Sequence, residues 1–148
     1  MIYNKYIKHK HNYTQNGGKI HKKITGIRKV YRNNMSQQIH NITVSEPWFT
    51  YIQNGTKTVE GRLDKGKFQH VNIGDIVIWM NKNNTVKTQI IYKNKYDSFY
   101  NYLNSEGLKN CLPNISNIED GVGVYRQYYD ENSEKTYGVL ALGLKLIP

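Results

Sequence analysis

Apolar and polar positions along most of the chain follow the pattern of strands separated by turns. Residues 76–80 form a continuous apolar run rich in β-branched side chains, which is typical of a buried strand. Residues 86–96 alternate loosely between apolar and polar side chains and predict a long strand. A hairpin at residues 81–84 joins these two strands, and the residue types there favour a four-residue loop over a two-residue loop. Apolar stretches at 39–44 and 138–147 predict a first and a final strand.

Apolar residues at helical spacing predict about three short helices. In the first, Trp48, Tyr51 and Ile52 lie at positions i, i+3 and i+4 and form one stripe. Ser45 is predicted as the N-cap of this helix, and the pair Asn54-Gly55 as its left-handed end.

Two further helices are predicted later in the chain. Asp97 is the N-cap candidate of the second helix, and Gly107 is its predicted end. A polar turn is predicted at residues 132–136, after the third helix. The apolar positions are Phe99, Tyr102 and Leu103 in the second helix, and Val122, Tyr125 and Tyr129 in the third. Strands and short helices without a βαβ rhythm indicate an α+β fold, a small β-barrel with about three flanking helices.

The positive charge of the chain is concentrated in its first residues. The formal net charge is +10, of which residues 1–34 contribute +9 and contain no acidic residue. Low hydrophobicity and a single sign of charge predict that residues 1–36 are a basic, disordered arm and that residues 37–148 form the domain. Such an arm binds phosphate backbones without reading sequence. The alternatives are a solubilising tail, or coding sequence upstream of an internal start at Met35. The remainder is nearly neutral, so specific binding must come from local arrangement.

Composition excludes several classes of protein. The single cysteine, Cys111, excludes an intrachain disulfide and a cysteine-based zinc cage, and it fits an intracellular protein in the cytoplasm or nucleus. No apolar run approaches the about 18 residues that span a membrane. Isolated histidines and the lack of a phosphate-cradling glycine loop predict no metal and no cofactor.

Residues 55–62, G-T-K-T-V-E-G-R, bring two cations and one anion within six positions. In a strand, Glu60 and Arg62 share one face and Lys57 lies on the other. If the first residues instead close a helix, Lys57 can turn to the side of Glu60 and Arg62. A carboxylate beside a guanidinium suits recognition of phosphate, carboxylate or a nucleobase. The alternative is that these charges only pair with each other to fix the fold.

Two residues outside this segment are also candidates for binding. Trp48 offers a flat surface on which a base can stack, although its helical spacing is equally that of a core residue. Arg126 lies between Tyr125 and Tyr128 and points either into the same cleft or to the helix surface.

Three sequence motifs resemble those of the ASCH domain, the activating signal cointegrator homology family. They are E-P-W at 46–48, G-x-K-x-x-E-G-R at 55–62, and G-D at 74–75 before an apolar strand. Later stretches look like the longer branch of the family, which is found in bacteria and viruses. These stretches are 98–99, 106–108, 112–113, 125–129 and 138–140. The resemblance to this branch implies that the chain is a viral protein in a host cell as one alternative.

The resemblance implies a small barrel of the PUA-like superfamily with a cleft lined by the 55–62 motif. ASCH domains are thought mostly to bind RNA or other nucleic acids. One bacterial branch removes the acetyl group of N4-acetylcytidine with a lysine, a threonine and a glutamate. Lys57 matches that lysine, Glu60 stands where the threonine nucleophile would be, and Glu106 is a loose candidate for the glutamate. The departure at Glu60 favours binding over this chemistry.

Three functions therefore follow as hypotheses. The first is a module that binds RNA, another nucleic acid or a nucleotide through Trp48, Lys57, Glu60, Arg62 and Arg126. The second is a hydrolase of modified nucleosides or RNA, in which Lys57 and Glu60, or Glu106, supply acid–base catalysis. The third is a protein-interaction module.

Overall fold

The computed structural model describes residues 36–148, and the architecture below is that of these residues. The strands are β1 Ile39–Thr43, β2 Val59–Leu63, β3 Ile76–Asn81, β4 Asn84–Tyr96 and β5 Val139–Leu146. The α-helices are α1 Trp48–Gln53, α2 Phe99–Glu106, α3 Leu108–Cys111, α4 Ile118–Arg126 and α5 Glu131–Tyr137. A 3-10 helix, Gly66–His70, follows β2.

The five strands form one curled sheet in the order β1-β3-β4-β5-β2. β1 runs parallel to β3, and all other neighbours are antiparallel. The pairing of β4 with β5 shifts register between Ile90 and Tyr92, an irregularity of the kind that bends a long strand. The result is a half-barrel with flanking helices, a PUA-like α+β fold, which confirms the predicted fold class.

Hydrophobic cores cover both faces of this sheet. Leu142 and Leu144 of β5 belong to one core with α1, whereas Val139 and Ala141 belong to a second core with α2 and α4. Adjacent side chains of a strand point to opposite faces, so β5 contributes to both cores and is buried almost throughout. Trp79, which is fully buried, donates its indole N–H to the Thr88 hydroxyl at 2.8 Å.

The predicted helix ends are confirmed, but the predicted N-caps are wrong. Gly55 and Gly107 have φ angles of 77° and 87°, the left-handed region that stops a helix. Ser98, not Asp97, accepts the backbone N–H of Asn101 at 3.2 Å. α1 begins only at Trp48 and has no side-chain cap bond, so the cap predicted at Ser45 lies too early in the chain.

The loop between β3 and β4 has two residues, not the predicted four. Asn81 pairs with Asn84 at the end of the ladder, which leaves Lys82 and Asn83 as the turn. Lys82 has a φ of 52°. A positive φ is more common in Asn or Gly, so residue types alone favoured the longer loop.

Two helices were absent from the sequence prediction. The stretch 132–136, predicted as a polar turn, lies inside α5, and α3 has only four residues. α5 is capped by Asp130, whose carboxylate accepts the Ser133 N–H at 2.7 Å. The buried residue of α5 is Glu134, so this helix has no apolar stripe from which it could be predicted.

The prediction of a basic arm at residues 1–36 lies, apart from its last residue, outside the described residues, and the domain boundary stays a prediction. Within residues 36–148, every helix is too short or too polar to cross a membrane.

Candidate functional site

A pocket of about 220 Å³ opens between β2, the β1–α1 connection and the C-terminal end of α4. We call it the central pocket. Its polar side is formed by Lys57, Glu60, Gly61 and Arg62, and its aromatic walls by Trp48, Tyr125, Tyr128 and Tyr129. The remaining lining residues are Thr43, Val44, Ser45, Leu112 and Val124. Four of the five predicted binding residues therefore meet in one cavity.

Lys57 is held entirely by the protein. β2 begins only at Val59, so Lys57 precedes the strand and its side chain turns to the side of Glu60. Its ammonium is 2.8 Å from the carbonyl oxygen of Val59, contacts the carbonyl oxygen of Cys111, and is 3.1 Å from Glu60 Oε2. An ammonium has three N–H donors, and all three are occupied. With 3% of its surface exposed, Lys57 supplies charge to the pocket but no free donor.

Glu60 is a buried carboxylate clamped between two cations. Its Oε1 accepts the Nε–H of Arg62 at 2.6 Å, and its Oε2 faces Lys57. Burial alone would raise the pKa of Glu60, but the charges of Lys57 and Arg62 hold it below the ordinary value. Glu60 is therefore ionised at neutral pH. A carboxylate can accept about four hydrogen bonds, so it retains acceptor capacity toward the pocket.

Arg62 supplies the free donors of the site. Its Nε–H is bound to Glu60, and its guanidinium lies 5.1 Å above the ring of Phe68. Burial alone would lower the pKa of Arg62, but Glu60 and the nearby Tyr129 hydroxyl raise it above the ordinary value. Ion pairing on one edge and ring stacking on one face fix the guanidinium plane. Its terminal N–H groups face the Tyr129 hydroxyl rather than a second carboxylate of residues 36–148.

The aromatic walls are held by packing of α2 and α4 onto β2. Phe99 stacks between Tyr125 and Tyr129, with ring centroids 4.1 Å and 5.6 Å away and planes within 11°. A Cβ atom at Gly61 would lie 2.7 Å from the Tyr102 ring and 2.9 Å from the Tyr125 hydroxyl. The glycine between Glu60 and Arg62 thus lets these rings approach the strand.

Trp48 and Tyr128 lie nearer the solvent. Trp48 is half-buried, packs against both cores and lines the pocket, so its core position is confirmed and stacking of a base on it stays a prediction. Its ring centroid is 5.9 Å from the Lys57 ammonium. Tyr128 is 58% exposed at the rim, with its hydroxyl 3.5 Å from that of Ser45. A large exposed aromatic ring beside a polar floor is a common feature of ligand sites.

Two candidate residues do not reach the central pocket. The guanidinium of Arg126 binds the carboxylate of Glu134 on α5. Glu134 in turn accepts the backbone N–H of Phe99 at 2.7 Å, so this pair ties α5 to the start of α2 and the end of α4. Glu106 likewise lies outside the lining.

Glu106 joins the end of α2 to β4. Its carboxylate accepts hydrogen bonds from the hydroxyls of Tyr92 and Tyr96, both at 2.7 Å, and from the amide of Asn94 at 2.9 Å. Burial alone would raise the pKa of Glu106, but these three donors hold it below its ordinary value. The contacts are those of a structural link between helix and sheet.

Glu106→Gln is expected to lower the free energy of unfolding by about 1–2 kcal/mol at neutral pH. Because the folded-state pKa is depressed, the stabilisation is present above the unfolded-state pKa and is lost as pH falls through the folded-state value. Urea denaturation of both proteins from about pH 7 down to about pH 3 measures this. The gap between them should narrow on acidification, and a gap independent of pH would contradict the assignment.

The sequence alone does not assign Tyr128 and Tyr129 to the site. The signal was the tyrosine pair that continues the helical spacing after Tyr125. Leu112 and Ser45 had no detectable signal, because they reach the pocket through loop geometry. Within residues 36–148, no group of three or more His, Cys, Asp or Glu side chains is arranged to hold a metal ion.

Comparisons with known proteins agree with this fold. The chain is similar to the crystal structure of hypothetical protein PH0355, with 37% identity and a TM-score of 0.70 over 74% of this chain and 100% of that one. Protein PF0455 from Pyrococcus furiosus is 33% identical, with a TM-score of 0.65 over 74% of this chain and 98% of that one. No curated protein is significantly similar.

A point mutant of ZmASCH from Zymomonas mobilis shares the fold at 16% identity, with a TM-score of 0.53 over 74% of this chain and 68% of that one. The family model described as the ASCH domain matches residues 42–148, a range that includes every residue lining the central pocket. The chain belongs to the ASCH domain family.

Proposed function

We propose that this ASCH domain binds nucleic acid, RNA foremost, or a nucleotide, by accommodating one base in the central pocket. The observation that carries the proposal is the adjacency of Glu60 and Arg62 beneath aromatic walls. The carboxylate accepts hydrogen bonds and the guanidinium donates them, side by side and in fixed positions. A base edge presents donors and acceptors in the same way, and its flat faces stack on aromatic rings.

The size and charge of the pocket support a single base as the ligand. A volume of about 220 Å³ is below the roughly 300–1,000 Å³ of pockets for drug-sized ligands. Lys57, Glu60 and Arg62 together leave one positive charge, which favours an electron-rich edge or a nearby phosphate.

The same contacts support binding rather than hydrolysis. A lysine that acts as a base needs a free lone pair, but the ammonium of Lys57 is engaged by three oxygens. A glutamate that acts as an acid needs a proton near neutral pH, but the pKa of Glu60 is lowered. The intracellular location and the longer bacterial or viral branch stay predictions.

Tryptophan fluorescence tests base binding directly. Trp48 lines the pocket whereas Trp79 is fully buried, so stacking of a base is expected to quench the Trp48 emission alone. Titration of the full chain with nucleoside 5′-monophosphates and with short single-stranded RNA gives the affinity. Trp48→Phe should remove the signal. Unchanged emission with every ligand, together with no binding by calorimetry, would reject the proposal.

Tyr128→Ala is expected to weaken binding roughly 5- to 150-fold, since stacking on one aromatic ring contributes about 1–3 kcal/mol. Tyr100→Ala is the matched control, because Tyr100 is also an exposed helix-region tyrosine, at 49%, but does not line the pocket. Equal losses in the two variants would show that Tyr128 has no specific contact with the ligand.

A further inference from the structure

A second pocket shares the Tyr129 wall of the central pocket. We call it the lysine pocket; its volume is about 280 Å³ and it is lined by Leu63, Lys65, Gly66, Lys67, Phe68 and Tyr129. Tyr129 lines both cavities, and Arg62 of the central pocket stacks on Phe68 of the lysine pocket. The two cavities are therefore neighbours that share Tyr129.

The lysine pocket carries positive charge that no carboxylate neutralises. Lys65 and Lys67 are exposed, and within residues 36–148 neither is within 4.0 Å of a carboxylate oxygen. Their ammonium groups lie over aromatic rings instead, Lys65 at 5.1 Å from the Tyr137 centroid and Lys67 at 5.6 Å from the Phe68 centroid. The acidic neighbour, Asp64, is already paired with Lys95 at 2.6 Å.

An apolar, aromatic floor with two such ammonium groups at its rim fits a phosphodiester and the sugar or base attached to it. The phosphate would accept hydrogen bonds from Lys65 and Lys67, while the apolar part lies on Phe68 and Leu63. The cation–π contacts do not consume the N–H donors of either ammonium group, and Phe68, the ring under Lys67, itself lines the pocket. Lys67 also donates one long hydrogen bond, 3.4 Å, to the Asn41 carbonyl oxygen, which leaves two of its three donors for a ligand.

We propose that the lysine pocket holds the nucleotide next to the base in the central pocket, so that the ligand is a single strand rather than a free nucleotide. The strand would pass over Tyr129, with one base against Glu60 and Arg62 and the adjoining phosphate between Lys65 and Lys67. This inference rests on the proposed function, because it requires a base in the central pocket.

We expect a difference in affinity between two probes, a short RNA strand and a free nucleotide. A mixed-sequence RNA tetranucleotide should bind the full chain at least about tenfold more tightly than nucleoside 5′-monophosphates at low salt. The double variant Lys65→Gln/Lys67→Gln should lose roughly tenfold in tetranucleotide affinity at low salt but leave the binding of nucleosides, which carry no phosphate, unchanged. The slope of log K against log salt should become shallower by about 0.7 for each phosphate of the strand that the variant no longer neutralises.

Lys87→Gln/Lys145→Gln is the matched control. Both lysines are exposed, line neither pocket, and give the same change in net charge. This variant should keep the tetranucleotide affinity. The basic residues 1–34 are identical in every protein, so their contribution cancels between variants.

The outcomes separate the two proposals. A tetranucleotide that binds no tighter than the monophosphates, or equal losses in the two lysine double variants, overturns the strand path while leaving the base pocket intact. Absence of binding of both probes to the unmodified chain overturns the proposed function and, with it, this inference.

Discussion

Replacement of Lys57 by methionine is expected to lower the free energy of unfolding by about 3–5 kcal/mol, the cost typical of removing one partner from a buried ion pair. Methionine fills much of the volume of the lysine stem but leaves Glu60 with Arg62 as its one cation. It also removes the donor that the carbonyl oxygens of Val59 and Cys111 share. Each buried acceptor without a partner adds to the cost. Urea denaturation of the full chain measures the difference.

An exposed ion pair in the same protein is the control for this effect. Lys95 is 2.6 Å from Asp64, but its side chain is 61% exposed, so Lys95→Met should cost less than about 1 kcal/mol. In the double-mutant cycle, Glu60→Gln should be less costly in the Lys57→Met background than in the unmodified protein, because the carboxylate has there already lost one of its two cations. Additive costs would contradict a direct interaction between Lys57 and Glu60.

The 55–62 motif illustrates what the sequence determines and what it leaves open. Residue types alone identified an acid between two bases, and alternation put Glu60 and Arg62 on one face. The position of the Lys57 side chain depends on the residue at which the strand begins. The local sequence pattern defines the ends of helices and strands poorly. The strand begins at Val59, so Lys57 joins the other two. The saturation of its ammonium depends on the Cys111 carbonyl, which lies 54 positions away and has no local signature.

Arg126 shows how a helix that the sequence does not predict can hold a candidate residue away from the site. Its neighbours Tyr125, Tyr128 and Tyr129 line the central pocket, whereas the sequence left open whether Arg126 points into the cleft or to the helix surface. The partner that holds it elsewhere is Glu134, on a helix whose polar sequence resembles a turn. The periodicity of apolar residues predicts amphipathic helices and apolar strands. It does not predict a polar helix that is stabilised by a cap and one buried ion pair. The long strands, α1, α2 and α4 were accordingly predictable, and α3 and α5 were not.

Arg62→Lys is expected to weaken binding of a single-stranded RNA roughly 10- to 150-fold, since hydrogen bonds to charged groups contribute about 1.5–3 kcal/mol. Lysine keeps the positive charge beside Glu60 but lacks the planar fork that binds Glu60 with one edge and a ligand with the others. Fluorescence titration of the full chain at about 0.2 M salt is suitable, because screening there reduces sequence-independent attraction to the basic residues 1–34.

Arg126→Lys is the matched control, since it is the same substitution within residues 36–148 at a guanidinium held by Glu134 rather than aimed into the central pocket. It should change the affinity little. Urea denaturation of both variants separates binding from folding, because a loss of affinity without a matching loss of stability locates the effect in ligand contact. If Arg62→Lys binds as well as the unmodified chain, the guanidinium serves only to hold Glu60 in the half-barrel. Recognition would then depend on the aromatic walls, which stack on any base and cannot read its edge.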